Sequence, residues 1–174
     1  MNRLHRDEYY MRIAHSVSLR GTCDRRQVGA VIVCDDNILS TGFNGAPRGL
    51  PECDEVGHLM VNGHCVRTIH AEANALLAAG APRLRAAAAT AKGCPCNEDR
   101  PFSARDMKMM VTLYTTTWPC MWCMKQAIQC GVGRIVYGQE YRDETHNEDG
   151  MAYAREVSNM LAVIIDPLPL DFIA

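Results

Sequence analysis

No run of apolar residues in this chain approaches the roughly 20 needed to cross a bilayer. The opening residues, MNRLHRDE, are charged where an export signal would carry an apolar stretch. These absences argue against a membrane partner and lead us to expect a cytoplasmic protein. A basic excess is also missing, since 18 Lys and Arg face 20 Asp and Glu for a net charge of −2. That balance speaks against a broad nucleic-acid footprint, although one or two arginines suffice for a small phosphorylated ligand. Neither an internal repeat nor a linker divides the 174 residues, so one domain over 1–174, with a full core, is expected. What the chain does have is nine cysteines. In an exported domain they would suggest disulfides; here, in odd number, they point to metal ligation or burial.

Apolar spacing predicts a helix over 3–19, through Tyr10, Ile13, Ala14 and Val17. The β-branched run 27–34 reads as a buried strand, and Asp35-Asp36-Asn37 as a turn into a second strand over 38–43. Residues 44–63, rich in Gly, Pro and Asn, read as a long loop of the kind that is functional or metal-pinned. A helix over 70–79, stopped by Gly80 and Pro82, precedes a strand over 110–115 and a helix over 120–130 closed by Gly131. Strands over 134–137 and 162–165 flank a last helix over 150–161. This order implies an α/β fold: a three-layer αβα sandwich on a mixed five-stranded sheet, antiparallel in its hairpin and parallel afterwards. The Ala-rich stretch 86–91 is left open.

Two short motifs carry the chemistry. His70-Ala71-Glu72 and Pro119-Cys120-Met121-Trp122-Cys123 supply one imidazole, two thiols and one carboxylate. An imidazole and two thiolates fill three corners of a zinc tetrahedron and leave the fourth to water. Cys120 and Cys123, three apart in a first helical turn, lie on one face. His70 opens another helix, so two N-termini would converge on the ion and favour negative charge there. Glu72 would move protons to and from that water. The competing reading is a closed structural zinc site with Glu72 as a helix cap. Its spacing from His70 is the one that the catalytic reading needs.

In this order the two motifs form the H-x-E … P-C-x-x-C signature of zinc-dependent nucleobase deaminases. Further segments resemble the deoxycytidylate deaminase family within the cytidine and deoxycytidylate deaminase superfamily. They are residues 20–33 (RGTCDRRQVGAVIV), 40–47 (STGFNGAP), 65–75 (CVRTIHAEANA), 113–116 (LYTT) and 135–141 (IVYGQEY). The resemblance covers most of 8–142. It implies a cytidine-deaminase-like sandwich and zinc-dependent hydrolysis of dCMP to dUMP and ammonia, feeding thymidylate synthesis. It also implies a homo-oligomer, often a hexamer, regulated by dCTP and dTTP, with Mg²⁺ accompanying a regulatory triphosphate.

By that resemblance His70, Cys120 and Cys123 are ligands and Glu72 is the proton shuttle. Asn44 would bond the deoxyribose, although Asn-Gly is also a turn pair. Tyr141 would lie near the substrate phosphate. A phosphate needs cations, and among Arg25, Arg26, Arg48 and Arg67 the first choice is Arg26. It could equally serve a regulatory nucleotide around Phe43, Asn44 and Gly45. A second zinc is expected at Cys23, Cys53, His64 and Cys65, with His58 as a competing ligand. The connection 80–110, holding Cys94 and Cys96 at a spacing poor for zinc, departs from the family pattern and reads as an exposed loop. Cys34 and Cys130 are assigned to the core, and His5, His15 and His146 to solvent. Met107 to Met110 reads as packing at the start of a strand. The rival functions are deaminases of tRNA adenosine, free nucleosides or a pteridine or riboflavin precursor. From another class comes a zinc-bound nucleotide sensor without turnover.

Overall fold

Helix α1 spans Arg6–Ser18, three residues inside its predicted start. His5 caps it, its Nδ1 accepting from the Asp7 N–H at 3.3 Å, and Asp7 and Glu8 place negative charge at the positive end of the helix. The computed structural model describes residues 3–90, 110–140, 152–153, 156–157 and 164–168. Strands β1 (Gly29–Cys34) and β2 (Asn37–Phe43) form the expected hairpin. Asp35 and Asp36 both take positive φ, 48° and 60°, the handedness that matches a tight turn to the twist of its strands. The chain continues through α2 (Cys53–Val56), β3 (Met60–Val61), β4 (His64–Cys65), α3 (Ala71–Ala79) and α4 (Ala81–Thr90). Beyond it come β5 (Thr112–Thr117), α5 (Met121–Gln129), β6 (Arg134–Gln139) and β7 (Ile164–Pro167).

The five-stranded sheet has the order β2-β1-β5-β6-β7. β1 pairs antiparallel with β2 and β5, whereas β5, β6 and β7 run parallel, as the element order implied. Alternation along the strands divides the core in two. Ala30, Ile32, Leu113 and Ile135 face α3, α4 and α5 through Ala75, Leu84, Met124 and Ala127. Val31, Val33, Tyr114 and Val136 face α1 through Tyr10, Met11 and Ala14. Burying each large aliphatic side chain of this kind contributes about 1.5–3 kcal/mol. At Gly42 of β2 a Cβ would collide with the backbone of Ala71 and Ala75, so glycine there lets α3 lie directly on the sheet.

Four expectations are corrected. The segment 44–63 is not one loop but holds α2 and begins the β3-β4 hairpin. A reciprocal cap between Glu52 and Glu55 makes even four residues helical there. Gly80, at φ 78°, ends α3 as expected, yet Pro82 does not stop the chain from re-entering a helix. It sits in the first turn of α4, where a missing N–H costs nothing. So 81–90 is helical, and the remainder of the 80–110 connection, with Cys94, Cys96 and Met107, lies outside the described residues. Strand β5 runs two residues later than expected, because Thr116 and Thr117 extend it toward Cys120. Cys34 and Cys130 are half-buried at the edge of the core and not within it.

One polar network ties α1 to three strands. The Arg134 side chain, 6% exposed, donates to both oxygens of Asp7 at 2.7 and 2.9 Å and to Asp166 Oδ2 at 2.8 Å. The Tyr114 hydroxyl donates to Asp7 Oδ1 at 2.7 Å. Burial pushes the Asp7 carboxyl up, but Arg134 and Tyr114 outweigh it and hold Asp7 below its ordinary 3.8. Arg134→Leu strands that carboxylate and should cost about 3–5 kcal/mol in urea unfolding. Because its folded pKa is depressed, Asp7 stabilises the fold above its unfolded pKa and loses that contribution as pH falls through the lowered value. Wild type should therefore exceed Asp7→Asn by a constant margin above about pH 5, the margin shrinking in acid. A margin independent of pH would contradict the ion pair.

Candidate active site

Two helix starts meet beneath the end of β5. Ile69 donates its N–H to the Gly45 carbonyl at 2.8 Å in an isolated bridge, which fixes the chain just ahead of His70, the N-cap of α3. Asn74 Nδ2 on α3 donates to the Phe43 carbonyl at 2.8 Å, and Ser40 Oγ on β2 donates to the Ala75 carbonyl at 2.8 Å. On the other side, the Trp118 N–H bonds the Gln139 carbonyl at 2.8 Å as the chain turns through Pro119 into Cys120, the N-cap of α5. Neither cap side chain is spent on its own helix. Both are turned to a common point, with His70 Nδ1 lying 3.5 Å from each of Cys120 Sγ and Cys123 Sγ.

The three side chains perturb one another strongly. The hydrogen bond from Cys123 and the imidazole of His70 outweigh burial and bring the Cys120 thiol down to about 4. His70 is raised to about 9, chiefly by its bond to Cys120. Cys123 keeps its proton, held by the bond to Cys120 and by burial. Glu72, one residue into α3 and 3% exposed, is pushed above the usual carboxylate range by burial, against the pull of His70. Thr115 Oγ1 donates to its Oε1 at 3.2 Å. The three ligand atoms of His70, Cys120 and Cys123 lie within 4.8 Å of one another. One imidazole and two thiols with a side left open is the donor set of a catalytic zinc.

The open side is a cavity of about 560 Å³, within the range of small-molecule sites. His70, Glu72, Trp118 and Cys120 line it together with Asn44, Arg25, Arg26 and His64. Asn44 is buried and holds the β1 approach in place, Oδ1 accepting from the Val28 N–H at 2.7 Å and Nδ2 donating to the Arg26 carbonyl at 2.8 Å. Arg26 Nη2 reaches Gln139 Oε1 at 3.5 Å. Phe43 and Gly45 do not line the cavity. Their backbones brace α3 from behind, through the contacts to Asn74 and Ile69. Tyr141 lies outside the described residues.

Beside the cavity a second cluster gathers. Cys23, Cys53, His58 and Cys65 bring their ligand atoms within 4.8 Å of one another, with Cys23 Sγ 3.7 Å from His58 Nδ1 and Cys53 Sγ 3.6 Å from Cys65 Sγ. The histidine of the set is His58, not His64. His64, the neighbour of Cys65 on β4, lies outside the cluster and borders the cavity, as Cys65 does too. Burial drives the Cys53 thiol up to about 12. For Cys65 the backbone N–H groups of Arg67 and Leu59 and bonds from Cys53 and His58 overcome burial and bring it to about 6. His58 turns its other nitrogen, Nε2, to Asp24 Oδ1 at 3.0 Å, the outer partner typical of a metal-bound histidine. Asp24, Trp118 and Thr115 carry no spacing that marks them; each is assigned only by what it touches.

Residues 4–139 match the cytidine and deoxycytidylate deaminase zinc-binding region. The chain belongs to this family. It is a deaminase, and its three-ligand centre and buried Glu72 are the parts that a zinc-dependent hydrolytic deaminase needs. It is 33% identical to ComE operon protein 2 of Bacillus subtilis over 98% of this chain and 75% of that one. It is 34% identical to the deoxycytidylate deaminase of Saccharomyces cerevisiae over 78% of this chain but only 38% of the yeast enzyme. With the deoxycytidylate deaminase of Mycobacterium phage D29 it shares 31% identity over 80% of this chain and 99% of the phage enzyme. Among solved structures, the dCMP deaminase of cyanophage S-TIM5 in complex with dCMP and dUMP superimposes with a TM-score of 0.62 at 27% identity, covering 95% of this chain and all of that one. Among the described residues of the deaminase, no helix is long and apolar enough to cross a membrane.

Glu72 stands apart from the three groups that would hold a metal. Glu72→Gln keeps the shape and lies outside the ligand set, so zinc content by elemental analysis should stay at the wild-type level while ammonia release falls by about 100-fold or more. Unchanged turnover would remove Glu72 from the chemistry.

Proposed function

We propose that the deaminase converts dCMP and water to dUMP and ammonia, supplying dUMP for thymidylate synthesis. The observation that carries this reading is a single cavity bordered by the three-ligand centre and Glu72 and also by Asn44 and two arginines. It therefore offers, around one space, groups suited to a base, a sugar and a phosphate. The relatives named above as deoxycytidylate deaminases, and the S-TIM5 complex, support the same choice. His70, Cys120 and Cys123 would hold the zinc, which when bound would supply a water of lowered pKa, nucleophilic near neutrality.

Glu72 takes one proton of the attacking water and passes it to the ring nitrogen N3; it then takes the proton of the new hydroxyl on C4 and gives it to the amino group, so that the C4–N bond breaks, ammonia leaves and C4=O forms. Its burial suits it to hold a proton between those steps, because a carboxyl out of water resists charge. Asn44 Nδ2 has a second hydrogen to give the deoxyribose after the bond to the Arg26 carbonyl. Arg26, supported by Arg25, receives the 5′-phosphate, and Tyr141 joins them. A regulatory dCTP or dTTP, carrying Mg²⁺, binds around Phe43, Asn44 and Gly45, from which backbone contacts lead to α3. The working form is a homo-oligomer, a hexamer by resemblance, in the cytoplasm.

A second zinc would be held by Cys23, Cys53, His58 and Cys65. Four protein ligands make a closed, structural site, and the Asp24 contact orients the histidine. Elemental analysis should give two zinc equivalents per chain; one equivalent would refute the second site. The functional reading is tested by ammonia release from dCMP, deoxycytidine, CMP and dCTP side by side, with and without added dCTP or dTTP. Turnover of dCMP well above the other three, altered by the triphosphates, is expected. Preference for the unphosphorylated nucleoside would overturn the phosphate assignment, and inactivity on all four would overturn the reading.

A further inference from the structure

Thr115 occupies a place where packing alone calls for no hydroxyl. It lies fully buried on β5, in the middle of the sheet, in register with Ala30 on one side and Tyr137 on the other. Valine would fill the same volume. The hydroxyl instead lies within reach of two acceptors, Glu72 Oε1 at 3.2 Å and the Thr117 carbonyl at 3.1 Å. A hydroxyl has one proton to give and can also accept.

We propose that Thr115 is a positioning residue for the deamination, orienting the Glu72 carboxyl through the bond to Oε1 so that Oε2 faces the water and the ring nitrogen. The inference rests on the reading of Glu72 as the proton carrier. Strand β5 is clamped between β1 and β6, so the hydroxyl holds Glu72 from a rigid element and not from a loop, the arrangement that proton transfer at fixed distance requires. Thr115 donates to Oε1 while Glu72 is a carboxylate, and still does so once Oε2 carries the proton from water. The carboxyl thus keeps one partner and one orientation through both halves of the transfer.

The test compares Thr115→Val and Thr115→Ser on zinc-replete protein with dCMP as substrate. Losing a hydrogen bond to a charged group at the transition state should lower kcat of T115V by about 10- to 100-fold. KM should stay within about 3-fold, because the residue does not touch the substrate. T115S, which restores the hydroxyl, should recover kcat to within about 3-fold of wild type. Zinc content should be the same in all three proteins. If T115V does not fold, Thr115→Ala removes the hydroxyl without branching and is expected to show the same split. Wild-type kcat in the folded variant that lacks the hydroxyl overturns the proposal. So does an equal loss in T115S, or a loss that tracks zinc content. A wild-type protein that releases no ammonia overturns the functional reading beneath it.

Discussion

The whole arrangement depends on two helix N-termini brought to one point. Each helix begins at a residue that the proposed zinc site takes as a ligand, and each turns the positive end of its dipole to the same small volume. Left empty of negative charge, such a meeting would be unfavourable. A thiolate at such a point is favoured, and at Cys120 the bond from Cys123 and the nearby imidazole of His70 bring the thiol down to about 4. The remaining features serve this convergence. Gly42 brings α3 onto the sheet, the Gly45–Ile69 bridge sets the angle at which the chain reaches His70, and the Trp118–Gln139 bond sets it for Cys120.

The two faces of the sheet divide the labour. One carries α1 and the buried Asp7–Arg134–Asp166 network, which locks the N-terminal helix to β6 and β7 and touches no part of the cavity. The other carries α3 and α5 and, through them, His70, Glu72, Cys120 and Cys123. Neighbouring residues of β5 therefore belong to different systems: Tyr114 bonds Asp7 on the first face, and Thr115 bonds Glu72 on the second. The alternation of a strand is enough to separate stability from chemistry by a single residue.

The second Cys/His cluster lies close enough to the first to share its cavity wall. Cys23 and Cys65 border the space that His70 and Glu72 border, and Arg25 and Arg26 follow Cys23 directly in the chain. The β3-β4 hairpin is too short to be stable alone; the Cys53–Cys65 contact and the bond from Arg67 to the Gly57 carbonyl tie it to α2.

What the sequence determined by itself was whatever repeats at a fixed spacing. The periodicities of α1, β1, β2, α3 and α5, the hairpin turn at Asp35 and Asp36, and the mixed sheet were legible because local backbone geometry imposes those periods. The H-x-E and P-C-x-x-C motifs were legible because ligand spacing is set by the helical turn. Tertiary structure alone decided matters that depend on which side chains meet across the chain. Choosing between His58 and His64 required knowing which imidazole the folded chain brings to Cys23, 35 residues away from His58. The helicity of 81–90 despite Pro82 depended on where a new helix began. Thr115 became part of the site only when β5 was laid beneath α3. Its contact with Glu72 spans 43 residues of sequence, and no local pattern encodes a distance of that kind.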